Sequence, residues 1–237
     1  MALIAPVSSR KGSAKNTLIA PDICQKSLAT PEYRLCCFRC RRPRSGCYCA
    51  LVAPFESAPR FIILTQPREA KHRFGTGRMT HLCLKNSLLV EGVDFSRDER
   101  IGREIDNPRS FPVLLYPRAD ALNLSRLTPA QRKALPPPER QLVVFVLDGT
   151  WKSVRKMIRL SENLARLPAI SFDPPAPSSY RIRRQPKSYC YSTIEAVHQV
   201  IELLAPDCQA ERRPFVPQDN LLAVFQSVVE RQLTFTP

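Results

Sequence analysis

The stretch Leu142-Val143-Val144-Phe145-Val146-Leu147, followed at once by Asp148-Gly149-Thr150-Trp151, decides the fold. An unbroken apolar run rich in β-branched residues and stopped by a glycine reads as a strand buried on both faces of a sheet. From Trp151 to Leu160 the pattern changes. Trp151, Val154, Met157 and Ile158 recur at helical spacing, while Lys152, Arg155, Lys156 and Arg159 take the other side. Strand, polar turn and basic amphipathic helix make half of a βαβ unit. Open α/β sheets bind ligands in the crevice outside their strand ends, so Asp148 is placed in such a crevice.

Working outward, Phe61-Ile62-Ile63-Leu64 is a strand that runs into the polar turn Thr65-Gln66-Pro67-Arg68-Glu69-Ala70-Lys71-His72. Residues 76–84 read as helix and 87–90 as strand. Phe111 to Pro117 reads as a third strand near a sheet edge, where its prolines are tolerated. A turn of helix is expected over 119–122 and a better one over 128–134, capped by Thr128 with Pro129 in its first turn. Pro136-Pro137-Pro138 is an exposed linker into the central strand. Beyond it lie a short strand at 169–172, a helix from Ser192 to about Leu204 and a final amphipathic helix over 220–229. Alternating strands and helices predict an α/β fold with a mainly parallel sheet and flanking helices.

The chain has 237 residues, 36 Lys and Arg against 21 Asp and Glu, and a formal net charge of +15. Such an excess speaks of partners, and polyanions such as nucleic acid are the first expectation. A merely basic protein is the plainer alternative. No apolar run reaches the ~18 residues that span a bilayer. Residues 1–31 lack the apolar core of a secretory signal and read as a disordered leader, with one acid, Asp22, and one arginine, Arg10. A cytoplasmic location is expected.

Nine cysteines in a chain without a secretory signal argue against a disulfide framework. Cys37 and Cys40 form a C-x-x-C pair and Cys47 and Cys49 a C-x-C pair, joined by Arg41-Arg42-Pro43-Arg44-Ser45-Gly46. Two close thiolate pairs across a short loop converge on Zn²⁺, and four thiolates close the site, making the metal structural. Residues 32–56 are therefore expected to be a zinc knuckle and 57–237 the α/β domain. Cys36 beside Cys37 leaves the ligand set open, with unmetallated thiols or an iron–sulfur cluster as alternatives.

Two further segments carry chemistry. Tyr180-Arg181-Ile182-Arg183-Arg184-Gln185-Pro186-Lys187 is dense in guanidinium groups suited to phosphate. Ser192-Thr193-Ile194-Glu195 fits a capping box at a helix start, which is also an anion site.

Asp148-Gly149-Thr150-Trp151 resembles the D-x-T-W signature of the DTW-domain family, the tRNA-uridine aminocarboxypropyltransferases. The cysteine knuckle, Pro67-Arg68-Glu69, Tyr180-Arg181-x-Arg183 and Ser192-Thr193-x-Glu195 follow in the family's order, so the resemblance covers roughly residues 34 to 230. Where many members carry His before the proline of the first turn, this chain has Gln66.

The resemblance implies a SPOUT-like knotted α/β architecture. It also implies transfer of the 3-amino-3-carboxypropyl group of S-adenosylmethionine to N3 of a tRNA uridine. Carried onto this chain, it makes Asp148, Thr150 and Trp151 the catalytic group. Leu64, Gln66, Pro67, Glu69, Leu147, Ser192, Thr193 and Glu195 would hold the cofactor. Tyr180, Arg181, Arg183, Arg184 and Lys187 would hold RNA, and Cys37, Cys40, Cys47 and Cys49 a structural zinc. An imide N3–H is a poor nucleophile near neutral pH, and Asp148 is the best-placed carboxylate to take its proton.

Duller roles compete at each position. Asp148 or Thr150 caps a helix, Trp151 packs that helix onto the sheet, and His72, His81 and His198 are surface or packing residues. Two other functions share the same features: a SPOUT-like RNA methyltransferase and a non-catalytic RNA-binding protein. Oligomeric state, monomer or homodimer, stays open.

Overall fold

A computed structural model of the chain describes residues 35–72, 74–182, 190–205 and 216–234. All of them belong to one compact unit, Arg34–Pro237. The expected leader over 1–31, and Arg183, Arg184 and Lys187, lie outside the described residues.

Six parallel strands form one sheet in the order β2-β1-β5-β3-β6-β4: β1 (Arg60–Thr65), β2 (Leu88–Glu91), β3 (Ser110–Leu115), β4 (Leu122–Asn123), β5 (Gln141–Asp148) and β6 (Ala169–Ser171). The connecting helices are α1 (Pro67–Ala70), α2 (Thr76–Cys83), α3 (Glu99–Asp106), α4 (Pro129–Lys133), α5 (Trp151–Leu160) and α6 (Glu162–Ala165). After β6 come α7 (Thr193–Leu204) and α8 (Asp219–Leu233). The α/β class and parallel sheet are as the alternation predicts.

The quoted stretch is β5, inside the sheet between β1 and β3. Its side chains alternate strictly. Leu142, Val144 and Val146 join a core with Met79, Cys83, Ile194, Val197, Val200, Val224 and Phe225 from α2, α7 and α8. Val143 and Phe145 join a second core with Ile101, Met157 and Leu164 from α3, α5 and α6. Each of these fully buried side chains contributes about 1.5–3 kcal/mol. Helices therefore cover both faces, as a parallel sheet requires.

Local detail departs from or adds to the pattern in several places. Residues 119–122 hold no helix; Leu122 and Asn123 instead pair with Ile170 and Ser171 as the edge strand β4. The strand with prolines is interior, not an edge. However, β6 pairs with it only at Leu114 and Leu115, so Pro112 sits where β3 has one open side and its missing N–H breaks no ladder. Helix α3 had no clear signal, because Ile101 and Ile105 are its only apolar anchors, and Asp98 caps it by accepting from the Arg100 N–H at 3.0 Å. The polar turn after β1 contains the one-turn helix α1, and α6 follows α5 in a stretch with no separate expectation. Among the described residues no helix is long and apolar enough to cross a membrane.

The cysteine-rich segment is docked on this body. The Ala53 N–H donates to Asn220 Oδ1 at 2.9 Å, Asn220 Nδ2 donates to the Leu51 carbonyl at 2.9 Å, and Tyr48 is buried.

Candidate functional site

The chain leaves β1 toward β2 on one side and leaves β5 toward β6 on the other, so the β1/β5 junction is a switch point where strand connections diverge. Such a junction opens a crevice at the carboxyl ends of the two strands. Asp148 is the last residue of β5 and is paired in register with Thr65, the last of β1 but for the turn; Thr65 in turn pairs with Glu91 at the end of β2. By the alternation of each strand, Glu91, Thr65 and Asp148 all face the α2/α7/α8 layer. They make a polar row across three adjacent strands at one lip of the sheet.

Asp148 is 5% exposed. Thr193, the first residue of α7, donates its hydroxyl to Asp148 Oδ1 at 2.6 Å. Two glycines flank the aspartate. At Gly77, in the first turn of α2, a Cβ would lie 2.7 Å from Asp148 Cγ and closer still to Oδ2, so a side chain there does not fit beside the carboxylate. At Gly149 a Cβ would meet Ser153 Oγ at 2.7 Å and Gln66 Cβ at 3.5 Å. The Gln66 N–H donates to the Asp148 carbonyl at 3.0 Å, which ties the two strand ends together.

Each residue singled out by sequence has a definite place. Thr150 caps α5, its hydroxyl accepting from the Ser153 N–H at 3.2 Å. Trp151 does not pack α5 onto the sheet; Val154 and Met157 do that, while Trp151 is 39% exposed at the lip with its ring 6.4 Å from that of Tyr116. Gln66 Oε1 caps α1 through the Arg68 and Glu69 N–H groups at 2.7 and 3.3 Å, and Pro67 fills the first helical position. Its amide nitrogen has no partner among the described residues.

Glu195 is buried and engaged by Ser178, Ser179 and Ser192. Its Oε1 takes the Ser179 N–H at 2.8 Å and its Oε2 the Ser192 hydroxyl at 2.6 Å and N–H at 2.9 Å. The carboxylate thus completes a capping box and clasps the 178–179 loop to α7.

Three assignments change. Leu64 has 0% exposure and lies in the α3/α5/α6 core, so its side chain offers nothing to a ligand in the crevice, and Leu147 faces that same core. Tyr180 does not present a ring to RNA. It is 5% exposed, with its ring 5.3 Å from Phe225 and its hydroxyl donating to the Phe74 carbonyl at 3.2 Å. Neighbouring arginines suggested a surface role, but aromatic burial with a satisfied hydroxyl prevails. Arg181 is exposed beside it.

Thr65 and Gly77 were not singled out from sequence. Thr65 is buried with a hydroxyl that has no partner among the described residues. The available signal for Gly77 was a glycine inside a helical pattern, which marks close backbone approach when it is not a weak spot.

The sulfurs of Cys37, Cys40, Cys47 and Cys49 lie within 4.8 Å of one another. The Cys37–Cys49 and Cys40–Cys47 pairs are both 3.7 Å apart. A Zn–S bond of ~2.3 Å in tetrahedral geometry sets sulfurs about 3.8 Å apart, so the four fit a closed zinc site and Cys36 is not needed. Backbone N–H groups of Cys40 and Arg39 pull the Cys37 thiol down to about 6, while burial pushes Cys40 and Cys49 up.

The knuckle reaches the crevice lip through Arg41, whose guanidinium donates to Glu91 at 2.8 Å; Arg78 of α2 bonds the same oxygen at 3.0 Å. Arg42 lies 4.7 Å over the ring of Phe74, just before α2. A second set of donor atoms, on His198, Glu202 and Asp219, lies within 4.8 Å at the α7/α8 contact. The cavity of about 200 Å³ lined by Phe55, Ser57, Ile201 and Gln218 sits at the amino end of β1, opposite Asp148.

A sequence model described as the DTW domain matches residues 34–233. A Drosophila melanogaster protein named tRNA-uridine aminocarboxypropyltransferase 2 is 30% identical over 190 residues, 77% of this chain and 72% of its own length. The Mus musculus protein of that name is 27% identical over 96% of this chain and 74% of its own length. An Arabidopsis thaliana tRNA-uridine aminocarboxypropyltransferase A is 27% identical over 82% and 81%. No solved structure matches the chain.

Proposed function

Because the chain belongs to the DTW-domain family, we propose that it is a tRNA-uridine aminocarboxypropyltransferase acting at uridine N3 with S-adenosylmethionine as donor. The observation that carries the proposal is the buried Asp148 carboxylate at the switch point, held by Thr193 and closely backed by Gly77. The names of the relatives supply the reaction class.

The crevice fits the donor in three respects. Among the described residues Thr65 has an unmatched buried hydroxyl beside Asp148 and Gln66 an unmatched amide nitrogen, and the amino terminus of α7 favours an anionic group such as a carboxylate. Glu69 and Ser192 stand at the same edge as further contacts, and Trp151 with Tyr116 offers an aromatic platform for a base. The donor supplies a sulfonium-activated carbon, so no metal and no covalent enzyme intermediate enters the step.

The protein's part is positioning and proton transfer. Asp148 takes the N3 proton as the nitrogen lone pair forms the new C–N bond, and the electron pair of the broken C–S bond leaves on sulfur as methylthioadenosine. Thr193 holds one carboxylate oxygen and so fixes the orientation in which the group meets that proton. Holding the reacting atoms in line is the larger share of the acceleration.

The test uses purified protein, tRNA and donor labelled separately in the methyl and in the carboxypropyl carbons. Label from the carboxypropyl chain is expected in tRNA, and methyl label only in the released nucleoside. Methyl label in the RNA makes the protein a methyltransferase, and no label in the RNA makes it a binding protein.

A further inference from the structure

We propose that Phe38, at the tip of the cysteine knuckle, is a stacking platform for an unpaired nucleobase of the RNA substrate, flanked by Arg39 and Arg44 as phosphate contacts. This rests on the reading of tRNA as substrate and adds a binding residue that the crevice does not contain.

The argument starts from exposure. Phe38 is 100% exposed and Leu35 beside it 68%, the two largest apolar exposures among the described residues. A solvent-facing phenylalanine in a loop costs solubility and adds nothing to the core. Its backbone is fixed in place, since it lies between Cys37 and Cys40 of the sulfur cluster and the Arg41 N–H closes the turn onto the Cys37 carbonyl at 2.7 Å.

Charge names the occupant. Residues 35–55 carry four arginines and no acid. Arg39 and Arg44 are exposed. Arg41 is exposed but paired with Glu91, and the buried Arg42 lies over Phe74. An apolar ring flanked by exposed cations suits a base with its phosphates, and it matches neither a basic nor a purely aliphatic partner. Single-stranded RNA is recognised by stacking unpaired bases on aromatic side chains, with cations tracking the backbone.

Placement completes the case. Arg41 ties the knuckle to Glu91, which lies two strands from Asp148 in the same in-register row, about 10 Å at ordinary strand spacing. A nucleotide whose base enters the crevice therefore has neighbours within reach of the knuckle.

Affinity of the full-length protein for fluorescently labelled tRNA tests this by anisotropy over a salt series, with zinc content and thermal melting measured on every variant. Phe38→Ala should weaken binding roughly 5- to 150-fold with an unchanged salt slope, because stacking releases no counterions. Phe38→Tyr should restore it. Arg39→Gln should instead lower the salt slope by about one. Wild-type affinity in a zinc-loaded Phe38→Ala overturns the proposal. A wild-type protein with no affinity for tRNA overturns the underlying reading of the substrate instead.

Discussion

Gly77→Ala adds one methyl group against the group on which the chemistry turns. The new Cβ would stand 2.7 Å from Asp148 Cγ and 3.1 Å from its Cβ, where ordinary contact begins at 3.4 Å, so one partner must move about 0.7 Å. The carboxylate cannot swing aside freely, because Thr193 holds Oδ1 at 2.6 Å and β5 is paired on both sides. Overpacking of this kind costs about 1–3 kcal/mol, but alanine in a helix returns about 0.5–1 kcal/mol relative to glycine. Net stability should therefore fall by no more than ~2.5 kcal/mol, a shift of at most about 5–10 °C at this size. A displacement approaching 1 Å at a reacting group, by contrast, costs up to about 10²-fold in rate.

The expected result is a folded protein with kcat reduced about 10- to 100-fold and unchanged affinity for tRNA. Single-turnover transfer and thermal melting read the two effects separately. Gly102→Ala in α3 is the control: its nearest neighbour would be Asp106 Oδ2 at 3.9 Å, so it should gain stability by about 0.5–1 kcal/mol and keep full activity. Wild-type turnover in Gly77→Ala would refute the placement of Asp148 at the reacting centre.

Thr193→Val removes a hydrogen bond to a carboxylate, worth about 1.5–3 kcal/mol, and should lower kcat by roughly 10- to 150-fold, with rescue by Thr193→Ser. Cys49→Ser should abolish stoichiometric zinc in native mass spectrometry and lower the melting temperature, because the knuckle is bonded to α8 through Asn220. Arg100 donates to Asp98 at 2.6 Å and holds its carboxyl below the usual range, so the stabilisation is present above about pH 4 and lost as pH falls through the folded value. Asp98→Ala should cost about 0.5–2 kcal/mol in urea melts at pH 7, and the difference from wild type should shrink in melts below pH 4.

Much of this was legible in the chain. An apolar run stopped by Asp-Gly announced an interior strand with a carboxylate at its end, and the alternation seen in the structure puts Asp148 on the face of Val144 and Val146. Pair spacing pointed to the cysteine cluster but left Cys36 open beside Cys37, and the three-dimensional convergence of four sulfurs selects Cys37. What periodicity does not say is which helices cover which face, so Thr193 and Gly77 as neighbours of Asp148 needed three dimensions. Segments with few apolar anchors, such as α3 and β4, gave too little signal against their polar surroundings. Tyr180 misled because a basic flank says nothing about an aromatic side chain whose hydroxyl finds a carbonyl in the interior. Leu64 misled for the related reason that successive residues at a strand end serve opposite faces.

The alternation of β5 also limits how this protein can change in length. Inserting or deleting a single residue between Leu142 and Leu147 would deliver Leu147's chemistry to α7 and turn the acid toward the α3/α5/α6 side, extinguishing the reaction without any substitution at the centre itself. Length variation in the exposed approach at 137–140 leaves the alternation of the strand untouched.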